Sequence, residues 1–264
     1  MDLLLNDKNV LVTAGTKGIG FGIAKTLFDS GANVFICSRD DNHVQSAIKA
    51  IDTSSTGRIS GMSGDIGQLE FLKDLNAKSK AFFGRGSDIL INNNGGPAVG
   101  DTFDFSEEDW ALAINRNLMS AVRLCKLVVP DMKTKKWGRV INLTSTTAKE
   151  PDAGMVLSNV TRAGVASFSK TIARELGPYG ITVNTILTGG CMTDRLRSLI
   201  KQDADNNNKT FEEVLKDVEK TIPVRYIPDP DEFSKIVLFL CSKDAGFFTG
   251  SCFTPDGGIC KSVF

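Results

Sequence analysis

Short apolar runs alternate along this chain with longer segments in which apolar residues recur every three or four positions. The runs "NVLVTA" (9–14), "NVFICS" (33–38), "RISGMS" (58–63), "DILINN" (88–93), "RVINLTS" (139–145) and "ITVNTIL" (181–187) have strand length. Several are apolar almost throughout, as parallel strands covered on both faces must be. Between them, Ile23, Ala24, Leu27 and Phe28 mark one helical face, and Leu118, Ala121, Val122, Cys125 and Val129 another. Phe233, Ile236, Val237 and Leu240 mark a third. This alternation predicts an α/β fold, a Rossmann-type doubly wound parallel sheet with helices on both faces. No linker-like shift in composition divides it, so residues 1–264 are expected to form a single domain.

One stretch breaks the rhythm. Residues 193–222 are polar and helix-prone, interrupted by "DADNNNK". Two helices joined by a loop are expected there. The segment is read as a flap over the crevice at the carboxyl ends of the strands, the alternative being a solvated excursion.

Composition adds exclusions. Lysine plus arginine and aspartate plus glutamate number 31 each, so no net field draws the chain toward nucleic acid or a membrane. The cysteines at 37, 125, 191, 241, 252 and 260 lack CxxC spacing and read as small buried hydrophobes, with no metal site expected. The start, "MDLLLNDKNVLVTAG", has no basic leader region, and no stretch approaches the roughly 18 apolar residues of a membrane span. A cytoplasmic protein acting on small molecules is expected.

The chemistry begins at "TAGTKGIGFGIA" (13–24), between the first strand and the first helix. Gly18 and Gly20 allow a tight turn and close approach of backbone to a pyrophosphate, which the helix N-terminus stabilises. Sites that read an unmodified ribose usually place an acidic residue at the end of the second strand. Here that strand ends in Ser38 and Arg39. Arg39 and Lys17 suit a 2′-phosphate, so NADP(H) is favoured over NAD(H); the alternative is a surface arginine beside Asp40 and Asp41.

Taken together these segments resemble the short-chain dehydrogenase/reductase family, in particular its 3-oxoacyl-carrier-protein-reductase-like members, over essentially the whole chain. "TAGTKGIG" matches the family's glycine loop (Gly15, Thr16, Lys17, Gly18, Ile19, Gly20), with Ala14 where its first glycine is usual. "GDIGQ" places Asp65 and Ile66 where the family meets adenine, and "DILINNNGG" matches its next cofactor segment with Asn93, Asn94 and Gly95. The resemblance implies an active-site asparagine at Asn117 ("INRNLMS") and serine at Ser145 ("GRVINLTS"). It also implies that Gly189 and Thr193 of "ITVNTILTGGCMT" face the nicotinamide, although Thr188 replaces the usual proline. Family members are commonly homo-oligomers, which implies a dimer or tetramer.

The departure comes at "LSNVTRAGV" (157–165). The family's catalytic tyrosine and lysine fall, by this register, on Ser158 and Arg162. A serine is a far weaker acid than a phenol and shorter, and losing a positioned general acid typically costs about 10²–10⁴-fold. Arg162 keeps the positive charge one turn away on the same helical face, suited to ribose hydroxyls. A guanidinium stays charged, so it is not expected to deliver a proton. Tyr179 lies 17 residues beyond Arg162, about 25 Å along a continuous helix at about 1.5 Å per residue. Tyr226 reads as packing, and His43, the single histidine, as solvent-facing. Glu150 or Asp152 is a candidate replacement acid if its pKa is raised by burial, against loop solvation or helix capping by Asp152. Two functions follow. One is an NADP(H)-dependent oxidoreductase of a carbonyl or alcohol substrate with an altered proton relay through Ser145, Ser158, water or a nearby carboxylate. The other is a catalytically impaired NADP(H)-binding sensor or partner subunit.

Overall fold

A computed structural model describes residues 3–263. Seven parallel strands form one sheet in the order β3-β2-β1-β4-β5-β6-β7. They are β1 (Asn9–Val12), β2 (Asn33–Ser38), β3 (Ile59–Ser63), β4 (Ile89–Asn92), β5 (Gly138–Ser145), β6 (Ile181–Thr188) and β7 (Cys252–Phe253). The helices are α1 (Gly18–Asp29), α2 (Asp41–Ile51), α3 (Leu69–Phe83), α4 (Glu107–Ala113), α5 (Ser120–Lys135), α6 (Val156–Leu176), α7 (Asp194–Asn207), α8 (Phe211–Thr221) and α9 (Pro230–Cys241). Six strands match the expected runs to within two residues at either end; β7, two residues long, is too short to leave an apolar signature. Among the described residues no helix is long and apolar enough to cross a membrane.

The period of two along each strand divides the core. Val10, Val12, Ile36, Ile89 and Ile91 point to one side and pack with Ile23, Leu27, Val237 and Leu240 of α1 and α9. Leu11, Phe35, Leu90, Val140 and Val183 point to the other, against Leu72, Leu124, Val128 and Leu176 of α3, α5 and α6. Both sheet faces are therefore buried, which is why the strands are apolar without alternation. The predicted stripe on α5 needs adjustment. Ala121, Cys125 and Val129 are buried, but so are Leu124 and Val128, whereas Val122 is only half-buried. Leu118 lies before α5 and is also half-buried.

Two features position the site. Residues Ile114–Met119 form a π-helical turn linking α4 to α5, a widening of the backbone spiral often found at functional sites. A buried polar chain also crosses the core: Asn92 Nδ2 donates to Asn142 Oδ1 at 2.7 Å, and Asn142 Nδ2 to Ser169 Oγ at 2.7 Å. It ties β4 and β5 to the face of α6 that also carries Ser158, Arg162 and Val165, fixing the rotation of that helix.

The 193–222 stretch folds as α7 and α8, but the break is later than expected. Helix α7 runs through Asp203–Asn207 and ends where Asn208 adopts a left-handed φ of 52°, a conformation asparagine tolerates. Thr210 and Glu213 then form a reciprocal capping box that starts α8. Four cysteines are buried, as read; Cys252 is exposed and Cys260 half-buried. Among the described residues no cluster of metal-ligating side chains forms.

Candidate active site

The strand order reverses between β1 and β4, so a crevice opens beyond their carboxyl ends. Thr13 and Asn93 stitch its floor: the Thr13 hydroxyl donates to the Asn93 carbonyl at 2.7 Å and accepts the Asn93 amide at 2.9 Å. The glycine loop turns above this point. Gly18 has φ +54°, and a side chain on Gly20 would begin 2.1 Å from the Ala14 carbonyl oxygen and 2.6 Å from Asn93 Nδ2. No side chain caps the start of α1, so its first amides and positive dipole end remain available to an anion. Thr193 closes the loop from above, its Cγ2 3.0 Å from where a side chain on Gly18 would begin. These residues fit a dinucleotide pyrophosphate, and chemistry from a nicotinamide would be supplied there.

At the end of β2, Ser38 folds back on the Asp40 carbonyl (3.1 Å) and Arg39 extends into solvent. Neither Asp40 nor Asp41 forms an ion pair with Arg39 among the described residues; Asp40 instead caps α2 at His43 N. His43 is exposed, as read from the sequence, but its Nε2 lies 2.9 Å from Lys17 Nζ. Asp65 is held by a residue the sequence did not bring forward. The Arg116 guanidinium approaches both carboxylate oxygens, with Nη2–Oδ2 at 2.5 Å, and the Gly67 amide donates to Oδ1 at 2.9 Å. Arg116 beside it is the main cause of an Asp65 carboxyl held below the usual carboxylate range; Arg39 contributes at longer reach. Ile66, next in the chain, packs against the core on the α3 side.

The other half of the crevice is made of buried side chains. Asn117 sits in the π turn and donates to the Ala113 carbonyl at 3.1 Å, leaving its Oδ1 buried without a protein partner among the described residues. Asn92 and Asn94 carry similarly unmatched buried Oδ1 atoms. Thr13, Asn92, Asn93, Asn94 and Asn117 line one small cavity of about 10 Å³, close to the size that admits a single water. Ser145 ends β5 and accepts the Thr147 amide at 3.3 Å. Ser158 is buried on α6, where its Oγ lies 3.2 Å from Thr147 Oγ1 and accepts Arg162 Nε at 3.1 Å. Thr147 was not anticipated from the sequence; only its position two residues after Ser145 hinted at it.

Burial, and secondly the nearby Arg195 guanidinium, push Arg162 down to about 10. It remains charged at neutral pH. Gly189 packs tightly against Asp256, with Cα 2.6 Å from where a side chain on Gly189 would begin, so the turn after β6 depends on glycine.

Neither candidate replacement acid, Glu150 or Asp152, is suited to the task, and neither tyrosine reaches the site. Glu150 Oε1 accepts the backbone amides of Lys261 (2.6 Å) and Ser262, and those bonds hold its carboxyl below the usual range. An acid that must stay protonated near neutrality needs the opposite shift. Asp152 is exposed and caps no helix; its backbone bonds the Asn159 side chain (2.9 and 3.4 Å), and α6 begins after Met155. Tyr179 lies beyond the end of α6, under Lys133 at 4.6 Å. Tyr226 is not core packing: it is half exposed, donates to Glu232 at 2.6 Å and lines a separate cleft of about 190 Å³. That cleft, between the end of α8, the start of α9 and residues 255–257, includes none of Asn117, Ser145, Ser158 or Arg162 in its lining.

The chain compares closely with known oxidoreductases. The family model described as enoyl-(acyl carrier protein) reductase matches residues 13–260. Human dehydrogenase/reductase SDR family member 4 is 33% identical over 255 residues, 96% of this chain and 88% of that protein. The 3-oxoacyl-(acyl-carrier-protein) reductase of Chlamydia trachomatis is 31% identical over 261 residues, 98% of this chain and all of that one. The structure of L-sorbose reductase from Gluconobacter frateurii, complexed with NADPH and L-sorbose, superposes over the full length of both chains with a TM-score of 0.95 and 28% identity. The chain belongs to the short-chain dehydrogenase/reductase family of oxidoreductases.

Proposed function

We propose that this protein is an NADP(H)-dependent oxidoreductase of a carbonyl or alcohol substrate, in which Ser158 and Arg162 stand where relatives use tyrosine and lysine. The observation that carries the proposal is the buried contact set Thr147–Ser158–Arg162 at the end of β5. A serine left over from a lost active site would not require two polar partners in a buried position. Bound nicotinamide would supply or take the hydride. Ser158 Oγ–H would donate to the carbonyl oxygen in reduction, and Arg162 Nε–H would stabilise the Ser158 oxygen as that proton leaves. Thr147 can pass a proton on to Ser158 through their shared hydrogen bond only as its own hydroxyl takes one up from water, so the net proton comes from solvent. Asn117 and Ser145 would orient the carbonyl, and α7 with α8 would cover it as a lid.

The cofactor preference rests on Arg39 and Lys17. Arg39 lacks a carboxylate partner among the described residues, and Lys17, extended by His43, adds a second donor group. Gly15, Thr16, Ile19, Asn94 and Gly95 would shape the remaining pyrophosphate and ribose contacts. L-Sorbose reductase is similar to this chain and its structure holds NADPH, which supports the same choice. The chain would act as one domain and assemble as a homo-oligomer, as family members commonly do.

The test pairs a calorimetric titration of NADP+ and NAD+ with NADPH oxidation over a broad panel of carbonyls. Tight NADP+ binding with turnover on any member supports an oxidoreductase. Tight binding without turnover on a wide panel assigns the protein to the second reading, a cofactor sensor or partner subunit. Equal affinity for the two cofactors overturns the role given to Arg39 and Lys17.

A further inference from the structure

Two guanidinium groups meet at the mouth of the crevice. Arg195 Nη1 and Arg162 Nη2 lie 3.7 and 3.8 Å from the point where a side chain on Gly96 would begin. No carboxylate lies within ion-pair distance of either arginine among the described residues. Their mutual repulsion is felt, since Arg195 is one cause of the lowered Arg162. Arg162 has committed its Nε to Ser158, which leaves the outer edge of its fork facing the gap. Gly96 has only these two guanidinium groups within 4 Å of the position a side chain would take, and neighbouring Gly95 has nothing there at all, so the backbone beside the pair is open.

Two like charges held together without a counter-ion are stable only if water or an anion separates them. An oxyanion accepting from both forks would relieve the repulsion and form charge-assisted bonds at once. We infer that Arg162 and Arg195 form an anion subsite that receives the carboxylate or phosphate of the substrate, which makes the substrate a small acidic carbonyl compound or its alcohol. This rests on the reading of the crevice as an oxidoreductase site and narrows its substrate class.

The position separates this subsite from the cofactor's own phosphates. The glycine loop and the uncapped start of α1 provide for a pyrophosphate, and Thr193 already lies over Gly18 there. Arg195, two residues further along at the first turn of α7, reaches instead toward Gly96 and the arginine that holds Ser158. An anion bound between the forks is therefore beside the hydroxyl assigned to proton transfer. Since α7 carries one of the two arginines, binding the anion would also draw the α7–α8 segment over the site.

The test uses the full chain with calorimetry, in the presence and absence of saturating NADP+. The probes are acetoacetate for a carboxylate, methyl phosphate for a phosphate, and butan-2-one and methyl acetoacetate as neutral controls. Acetoacetate or methyl phosphate should bind, and R195Q should weaken that binding at least tenfold while R195K retains part of it. The neutral probes should show no dependence on residue 195. Arg195 is exposed, so R195Q should melt like the parent protein, and R195K supplies the control if it does not. The arm that responds identifies the carboxylate or phosphate source. Failure of both anions to bind, or binding unchanged in R195Q, overturns the subsite. Displacement of both anions by NADP+ also overturns it, because the pair would then serve the cofactor. R195-dependent anion binding in a protein that takes up no NADP+ would keep the subsite and sink the oxidoreductase reading.

Discussion

The two walls of the crevice are built on different principles. On the β1–β2 side, backbone makes the site: the glycine loop, the open end of α1, and exposed cations at Lys17 and Arg39. On the other side, side chains make it: the buried Asn117, Thr147 and Ser158 with the half-buried Ser145 and Arg162. A backbone site needs glycine at the points where the chain turns or is approached closely and tolerates variation at other positions. A side-chain site changes its chemistry with one substitution while the fold stays the same. The contrast explains how a chain can superpose on L-sorbose reductase with a TM-score of 0.95 and still place serine and arginine at the centre of its α6 face.

The sharpest way to break this contrast is at Gly20. A methyl group there would start 2.1 Å from the Ala14 carbonyl oxygen and would also push Asn93 off its 3.2 Å bond to that oxygen. Gly20→Ala should weaken NADP+ binding about a hundredfold, because relieving a clash worth about 1–3 kcal/mol of folding stability requires the loop backbone that would meet the phosphates to move. A titration curve like the parent's would show that backbone geometry does not define that wall. Arg39→Asp comes next. Loss of charge-assisted bonds at about 1.5–3 kcal/mol, with added repulsion, should reverse the preference between NADP+ and NAD+. Unaltered selectivity would place the 2′-phosphate elsewhere.

The side-chain wall is tested by Ser158→Tyr combined with Arg162→Lys. If Ser158 marks only a lost acid, reduction of generic ketones should rise at least tenfold, within the roughly 10²–10⁴ range of a general acid. If the Thr147–Ser158–Arg162 set is a working relay, the phenol must displace Thr147 from its 3.2 Å contact, and native turnover should fall instead. NADP+ affinity measured in parallel separates either outcome from a damaged cofactor site.

The difference between the walls also sets what could be read from sequence. The central strands were legible because burial on both faces makes them apolar almost throughout, as at Val10–Val12 and Ile89–Ile91. The glycine loop was legible because only glycine tolerates its turn and approach. Contacts between distant polar residues left no periodic trace. Arg116 meets Asp65 across 51 residues, and Asn142 meets Ser169 across 27. Arg195 and Arg162 converge only because the first turn of α7 and the N-terminal half of α6 both reach the segment around Gly96, which a pattern of helix-prone residues cannot specify. Glu150 looked like a candidate acid from its position alone; only the fold brings the amides of residues 261 and 262 onto it.

A milder probe is pH, acting on the Asp65–Arg116 side-chain pair that joins the end of β3 to the turn before α5. The Arg116 guanidinium lowers Asp65 in the folded chain below its usual value of 3.8. Stability from this pair is therefore fully present above that value and is lost as pH falls through the lower folded value. Asp65→Asn should flatten the acid limb of the melting-temperature profile and leave the neutral plateau slightly lower. Both groups are partly exposed, so the effect should shrink at high salt. An acid limb unchanged by the substitution would mean that the pair is screened out in solution.

The smallest effect is expected at Ala14, where the family usually has glycine. Ala14 has φ +47°, in the left-handed region, where a non-glycine residue carries about 1–2 kcal/mol of strain. Glycine would relieve that strain, but its extra freedom in the unfolded chain takes back about 0.4–1 kcal/mol. The net gain for Ala14→Gly should lie between about 0 and 1.6 kcal/mol, a rise in melting temperature of no more than about 5 °C for a chain of this size. Cofactor affinity should hardly move, because the Ala14 carbonyl, not its side chain, is what meets Gly20 and Asn93. A lower melting temperature would show that the methyl group packs usefully against the loop. A clear change in NADP+ affinity would show that the strain is transmitted to the phosphate amides, and the backbone wall would then depend on a side chain after all.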